Sequence, residues 1–292
     1  MPRLWSLTVP RQLIAAAVLA LLVGLAAVGV WLWRRRLRLR YRWRRALGRP
    51  PLPVVLVHGL FGFDEIAIGA SRHAYFKGIG AQLEQGGRKV VNARLSPVGT
   101  IEARAGELAG CIRAHGDARV IVLAHSMGGL DARYAIARFG LASQVSALVT
   151  VGTPHRGTPV ADLTADLATR LGIAKALSLA GVSLETLQDL TSARMLRFNE
   201  EVPDVSSVSY GSVVGRVAQK LQTNPLLLPG YLWMAERAGA NDGVVPAASQ
   251  RWGRVLAEIE ADHWAQIGWS KHFDAGPFYL ELLRALEAAG LP

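Results

Sequence analysis

With 292 residues, 51% of them hydrophobic, the chain can bury a large core, which excludes a disordered or small disulfide-stapled protein. Its formal charge of +11 points to nucleic acid only until the charges are located: residues 1–50 hold eleven arginines and no acid, leaving 22 Lys and Arg to balance 22 Asp and Glu elsewhere. The basic character belongs to that one segment, so no nucleic-acid partner is expected. The single cysteine, Cys111, excludes an intrachain disulfide, in keeping with a reducing compartment.

After a short tail over residues 1–12, Leu13 to Trp33 is an uncharged apolar run of the length that crosses a bilayer as a helix. Trp31 and Trp33 stand where interfacial aromatic belts form. A cleaved signal peptide is the competing reading. The length of the run, and the arginines that follow it in place of a small-residue cleavage site, speak against it. Arg3 and Arg11 precede the span, and Arg34 opens the larger cluster that follows. The positive-inside bias therefore predicts a single-pass inner (cytoplasmic) membrane protein with its C-terminal part in the cytoplasm. Residues 34–52 form an Arg-rich juxtamembrane segment and a Pro-rich linker. Leu37, Leu39, Tyr41 and Trp43 alternate with Arg38, Arg40, Arg42 and Arg44. That pattern suits anionic headgroups, or serves only to fix orientation.

From residue 53 onward, strand-like and helix-like segments alternate. The pattern predicts an α/β domain over 53–292 with a mainly parallel sheet and helices on both faces. Val54–Val57 reads as a strand, Gly78–Gln85 as a helix, Lys89–Ala93 as a strand and Ile101–His115 as a helix. Val120–Leu123 is a strand, followed by a helix over Leu130–Arg138, and Val145–Val151 is the next strand. Between Thr158 and about Asn199 the period turns helical, with Leu163, Leu167 and Leu171 at i, i+4 and i+8. A helical lid over about 158–199 is expected there, above the carboxyl ends of the strands. Ser207–Val214 and Val255–Ile259 read as later strands and Phe278–Ala289 as a closing helix. The apolar run Leu226–Met234 fits an acyl pocket, a lipid-dipping segment or core.

The chemistry centres on Ala124-His125-Ser126-Met127-Gly128-Gly129, between the 120–123 strand and the following helix. A serine flanked by small residues two before and two after, on a strand-to-helix turn, is a nucleophile elbow. Ala124 and Gly128 are small because the turn brings those positions against neighbouring backbone. A nucleophilic serine needs a base, an orienter for the base and donors for the oxyanion. Such hydrolases run in the order Ser, acid, His, so the base lies downstream among His155, His263 and His272. His155, in Gly152–Gly157, comes too early to leave room for the acid. The turn Asn241-Asp242-Gly243 then places Asp242 as the acid and His263 as the base, with His272 as runner-up. Asp262 adjoins His263 and aims poorly at it. One oxyanion amide belongs to Met127; the other is assigned to Leu60, in the tight turn His58-Gly59-Leu60-Phe61-Gly62. His58 reads as a structural residue of that turn, and His125 as a packing or hydrogen-bonding residue.

Pro53–Asp64, Ala124–Gly129, Gly152–Gly157 and Asn241–Val245, in this order, resemble the bacterial triacylglycerol lipases of the Pseudomonas and Burkholderia type, which are α/β-hydrolases. Leu187–Asn199 resembles the segment after the lid in that family. The resemblance runs from about Pro53 to Trp269 and implies the same triad and oxyanion donors. The family also carries a structural calcium, with an aspartate two residues and a glutamine six residues after the catalytic histidine. Here those positions are Ala265 and Trp269, so no metal and no cofactor is expected. The stretch from Ser126 to Asp242 looks shorter than in those lipases, so the substrate need not be bulk triacylglycerol.

The expectation is a membrane-anchored serine hydrolase that cleaves carboxylic esters of lipids through an acyl-enzyme. An acyltransferase or thioesterase built on the same triad is the alternative, and a tethered scaffold with a vestigial triad is the rival from another class.

Overall fold

The computed structural model describes residues 51–62, 65–68, 71–116, 118–172, 183–217 and 219–290. The expected span Leu13–Trp33 and the Arg-rich segment lie outside these residues. Among the described residues no helix is long and apolar enough to cross a membrane.

Six strands form one sheet: β1 (Val54–Val57), β4 (Val90–Asn92), β5 (Val120–His125), β6 (Val145–Val151), β7 (Ser209–Arg216) and β8 (Arg254–Glu260). Their order is β4-β1-β5-β6-β7-β8, and every pairing is parallel. The apolar strands β1, β5 and β6 are buried along their whole length. A parallel sheet covered on both faces requires that, which is why these strands read as continuous apolar runs. Side chains alternate between two cores. Val54, Leu56, Ile121 and Leu123 pack with Leu83 of α1 (Ile79–Gln85) and with Tyr279 and Leu283 of the closing helix. Val55, Val57, Val120 and Val122 pack with Leu108 of α2 (Ile101–Arg113) and Ala135 of α3 (Gly128–Arg138).

The expected helical stretch after β6 holds α4 (Pro159–Arg170), α5 (Leu184–Gln188) and the start of α6 (Ser192–Glu201), with residues 173–182 outside the description. Thr158 caps α4 by accepting from the Val160 N–H, and Pro159 sits in the first turn. The leucine row of α4 was expected on its helical period. It faces outward: Leu163, Leu167 and the C-cap Leu171 just beyond the helix are exposed while Ala161, Ala165 and Ala168 are buried. By contrast α6 is part of the body, because Met195 and Phe198 are buried against Met127 and Leu130.

Some elements have no counterpart among the segments expected from sequence. A hairpin, β2 (Glu65–Ile68) and β3 (Ser71–Ala74), stands apart from the main sheet. The apolar run near Leu226 forms α7 (Leu228–Ala238), with Leu227 and Met234 buried and Leu226 and Leu232 exposed. After α7 come the short α8 (Ala247–Gln250) and, at the end, α9 (Ala275–Ala288). The last starts three residues earlier than expected, because Ala275 and Gly276 are buried as its first turn.

Candidate active site

Ser126 follows directly on β5, with φ at 56°, a left-handed conformation costly for any residue but glycine. Its N–H donates to Val151 O at 2.8 Å, which pins it to the end of β6. A Cβ on Gly128 would lie 2.7 Å from both Val57 O and His58 O. The small residue two after Ser126 is therefore required by the backbone of the β1 turn.

That turn lies beside Ser126: a Cβ on Gly59 would come within 2.7 Å of Ser126 Cβ. His58 holds it from inside. His58 Nδ1 donates to Gly59 O at 2.9 Å, and His58 Nε2 accepts from the Leu95 N–H at 3.3 Å. The buried Arg104 guanidinium donates to His58 O at 2.7 Å and is paired with the buried Asp131 at 2.8 Å. Burial pushes Asp131 up to about 7, against the opposing pull of Arg104. Among the described residues, neither the Leu60 N–H nor the Met127 N–H has an acceptor. Amides left open among the described residues, one directly after Ser126 and one directly after Gly59, can donate to a developing oxyanion.

Asp242 and His263 meet although 21 residues separate them. His263 Nδ1 lies 2.8 Å from Asp242 Oδ2, and both residues are buried. Asp242 also builds its own turn. Its Oδ1 accepts from the Val244 and Val245 N–H groups at 3.0 and 2.7 Å, and Gly243 adopts φ 94°. The plain Asp-Gly turn and the histidine partner are thus one structure, with one carboxylate oxygen assigned to each task. Gly152, at φ 57°, directly follows β6 and lies close to this pair. A Cβ there would stand 3.2 Å from His263 Nδ1 and 3.3 Å from Asp242 Oδ2. With Nδ1 engaged by Asp242, Nε2 is the His263 nitrogen left to act as a base. Ser126 Oγ is not hydrogen-bonded to His263, whose ring packs 4.4 Å from that of His125, the residue before the serine.

The competing residues are occupied elsewhere. Asp262 Oδ1 accepts from the Trp264 and Ala265 N–H groups, and Oδ2 from that of Asn224. His272 is exposed. His155 is buried, accepts from Arg133 Nη1 at 3.4 Å and donates to Thr150 Oγ1 at 3.1 Å.

Several groups around the site carried no sequence signal. The Tyr75 hydroxyl accepts from the Gly59 N–H at 3.2 Å and donates to His125 Nδ1 at 2.7 Å. Burial holds that hydroxyl in its neutral form and holds His125 well below its usual value, with the nearby His263 adding to the effect on His125. Gln266 Nε2 donates to Asp242 Oδ2 at 2.9 Å.

The residues after His263 do not fit calcium. Ala265 is buried in the core, and the Trp269 indole N–H donates to Tyr75 O at 2.8 Å. Neither side chain offers an oxygen, and the Asp262 carboxylate oxygens are taken by backbone amides. Among the described residues no group of three or more His, Cys, Asp or Glu could hold a metal.

A parallel sheet, a serine elbow after β5, and an acid–histidine pair beyond β7 and β8 together have the layout of the α/β-hydrolases. Residues 110–201 match the PGAP1-like alpha/beta domain family. A triacylglycerol lipase of Pseudarthrobacter phenanthrenivorans is 32% identical, over 74% of this chain and 87% of that one. One from Pseudomonas fragi is 31% identical, over 82% of this chain and 97% of that one. The chain belongs to the bacterial triacylglycerol lipase family and is a carboxylic ester hydrolase. Among solved structures, the fold is shared with a metagenomic carboxyl esterase (TM-score 0.70, 21% identity, 82% of this chain and 76% of that one). It is shared also with a mature Bacillus licheniformis lipase (TM-score 0.64, 22% identity, 80% of this chain and 92% of that one).

Proposed function

We propose that this hydrolase cleaves carboxylic esters of lipids with Ser126 as nucleophile, His263 as general base and Asp242 as its orienter. The observation that carries the reading is the buried 2.8 Å contact of His263 Nδ1 with Asp242 Oδ2, set beside a serine at positive φ. Ser126 Oγ attacks the acyl carbonyl carbon as its proton passes to His263 Nε2. Asp242 keeps the proton on Nδ1 and stabilises the imidazolium that forms. The Leu60 and Met127 N–H groups donate to the tetrahedral oxyanion. When the C–O bond breaks, His263 returns its proton to the leaving alcohol. Water, deprotonated by the same imidazole, then attacks the Ser126 ester and releases the fatty acid.

The membrane part of the reading rests on sequence. The uncharged run Leu13–Trp33 is the anchor, residues 34–52 are the juxtamembrane segment and linker, and the positive-inside bias places the hydrolase domain over 53–292 in the cytoplasm. The outward leucine row of α4 and the exposed Leu226 and Leu232 are in keeping with a lid and rim that work near lipid.

The test is hydrolysis of a p-nitrophenyl ester series, from short to long acyl chains, by wild type and Ser126→Ala. Turnover should fall at least about 10⁴-fold in the variant. Retained activity would overturn the assignment of Ser126. Alkaline carbonate extraction and proteolysis of intact spheroplasts test the anchor and its orientation. Release of the full chain by carbonate, or its digestion from outside, would refute the corresponding half.

A further inference from the structure

The Asp242 carboxylate has four hydrogen-bond donors, and only three belong to groups already assigned. Val244 and Val245 take Oδ1, and His263 takes one side of Oδ2. The fourth is the side-chain amide of Gln266, 2.9 Å from Oδ2 and fully buried. We propose that Gln266 is a positioning residue of the reaction, whose amide fixes the Asp242 oxygen that faces His263 and moderates its basicity. The inference rests on the triad reading above.

The seat for this amide is built into the sheet. A Cβ on Gly215, at the end of β7, would lie 2.0 Å from Gln266 Nε2, and one on Gly152 would lie 2.4 Å from Gln266 Oε1. Only glycine at both strand ends leaves room for the amide between them. The Gln266 backbone is held as well: its N–H donates to Asp262 O at 3.1 Å, and the Tyr279 hydroxyl donates to its carbonyl at 3.1 Å. The orientation of the amide follows from chemistry. Turned over, it would set a carbonyl oxygen against a carboxylate oxygen, so the NH₂ faces Asp242. Gln266 Oε1 then has no donor among the described residues. Of the two ends of the amide, Nε2 is the one with a partner among the described residues, Asp242 Oδ2.

The consequence concerns the proton on His263 Nδ1. Oδ2 has two lone pairs in a dry site. If the second were bare, the oxygen would be a stronger base and would hold the Nδ1 proton more tightly. An amide donor occupies that lone pair and stops the carboxylate rotating away from the imidazole. The imidazole is then oriented without becoming too basic to hand its proton to the leaving alcohol.

The test uses the full-length protein, a soluble short-chain p-nitrophenyl ester, and kcat, KM and the pH profile as readouts. Gln266→Met removes the donor and keeps the volume. The expected result is kcat lowered about tenfold to a hundredfold with KM little changed. The acid limb of kcat/KM should move to higher pH by about half a unit, because the imidazolium is favoured when Oδ2 loses its second donor. In an Asp242→Asn background the same substitution should do little more. Gln266→Glu is nearly isosteric and serves if the methionine variant does not fold. It donates only while protonated, so its kcat/KM should fall on an alkaline limb that wild type lacks. Wild-type kcat and pH profile in a folded Gln266→Met or Gln266→Glu protein would overturn the inference, as would an undiminished loss in the Asp242→Asn background. If Ser126→Ala and Asp242→Asn themselves keep wild-type kcat, it is the triad reading that fails.

Discussion

Asp242 and His263 are joined twice: the imidazole Nδ1 lies 2.8 Å from Oδ2, and the His263 main-chain N–H donates to the Asp242 carbonyl, also at 2.8 Å. The backbone bond holds the two loops in register independently of the side chains. Asp242→Asn should therefore leave the fold and KM nearly intact while forcing the wrong imidazole tautomer. A fall in kcat of about 10⁴-fold is expected, by analogy with the serine-protease triad. Thermal melting beside steady-state kinetics checks this, and a variant that loses stability in proportion to activity would refute it.

Arg104 is predicted to link stability to catalysis. It pairs with Asp131 and donates to the carbonyl of His58, which begins the turn carrying the Leu60 amide. Arg104→Met should destabilise the protein by about 3 kcal/mol, the low end for a broken buried pair, because Asp131 can take a proton in compensation. It should also lower kcat by roughly 10² as the turn loosens. Joint replacement with Asp131→Leu should restore stability in urea unfolding and leave kcat low. Recovery of kcat along with stability would show that Arg104 has no part in holding the turn.

Acid stability depends on buried neutral histidines. Burial holds His155 well below its usual value of 6.5, and the charges of Arg133 and Arg156 act in the same direction. Below pH 6.5 the unfolded chain therefore binds more protons than the folded one, and stability falls with falling pH, by up to about 1.4 kcal/mol per unit for one such group. Asp131 acts with the opposite sign, since its raised value favours the folded state on acidification. Comparing wild type with His155→Gln isolates the histidine. The melting temperature of wild type should drop more steeply from pH 6.5 to about pH 5 than that of the variant; parallel curves would sink the argument.

Chelation offers a separate check. The side chains of Ala265 and Trp269 offer no oxygen ligands after His263. Overnight dialysis against EDTA should leave both ester hydrolysis and the melting temperature unchanged. A loss that calcium restores would place a metal site elsewhere in the chain.

By itself, the sequence determined the elements and the local chemistry of the turns. Val54–Val57 and Val145–Val151 are strands over the expected residues, because unbroken β-branched runs suit a sheet covered on both faces. The need for a small residue at Gly128 was legible from the tight turn alone. Local steric patterns decide these features, so neighbours in the chain suffice to read them. The hairpin β2–β3 and the outward face of α4 were not legible, since short segments and a helical period do not say which side meets the core. Only the tertiary structure decided the strand order and the groups that support the site. Gln266 meets Asp242 across 24 residues, Arg104 meets His58 across 46, and Tyr75 meets His125 across 50. Each is an ordinary polar residue in its own segment. It reaches its partner only because parallel strands deliver their carboxyl ends to one edge of the sheet, where distant loops must share a single dry space.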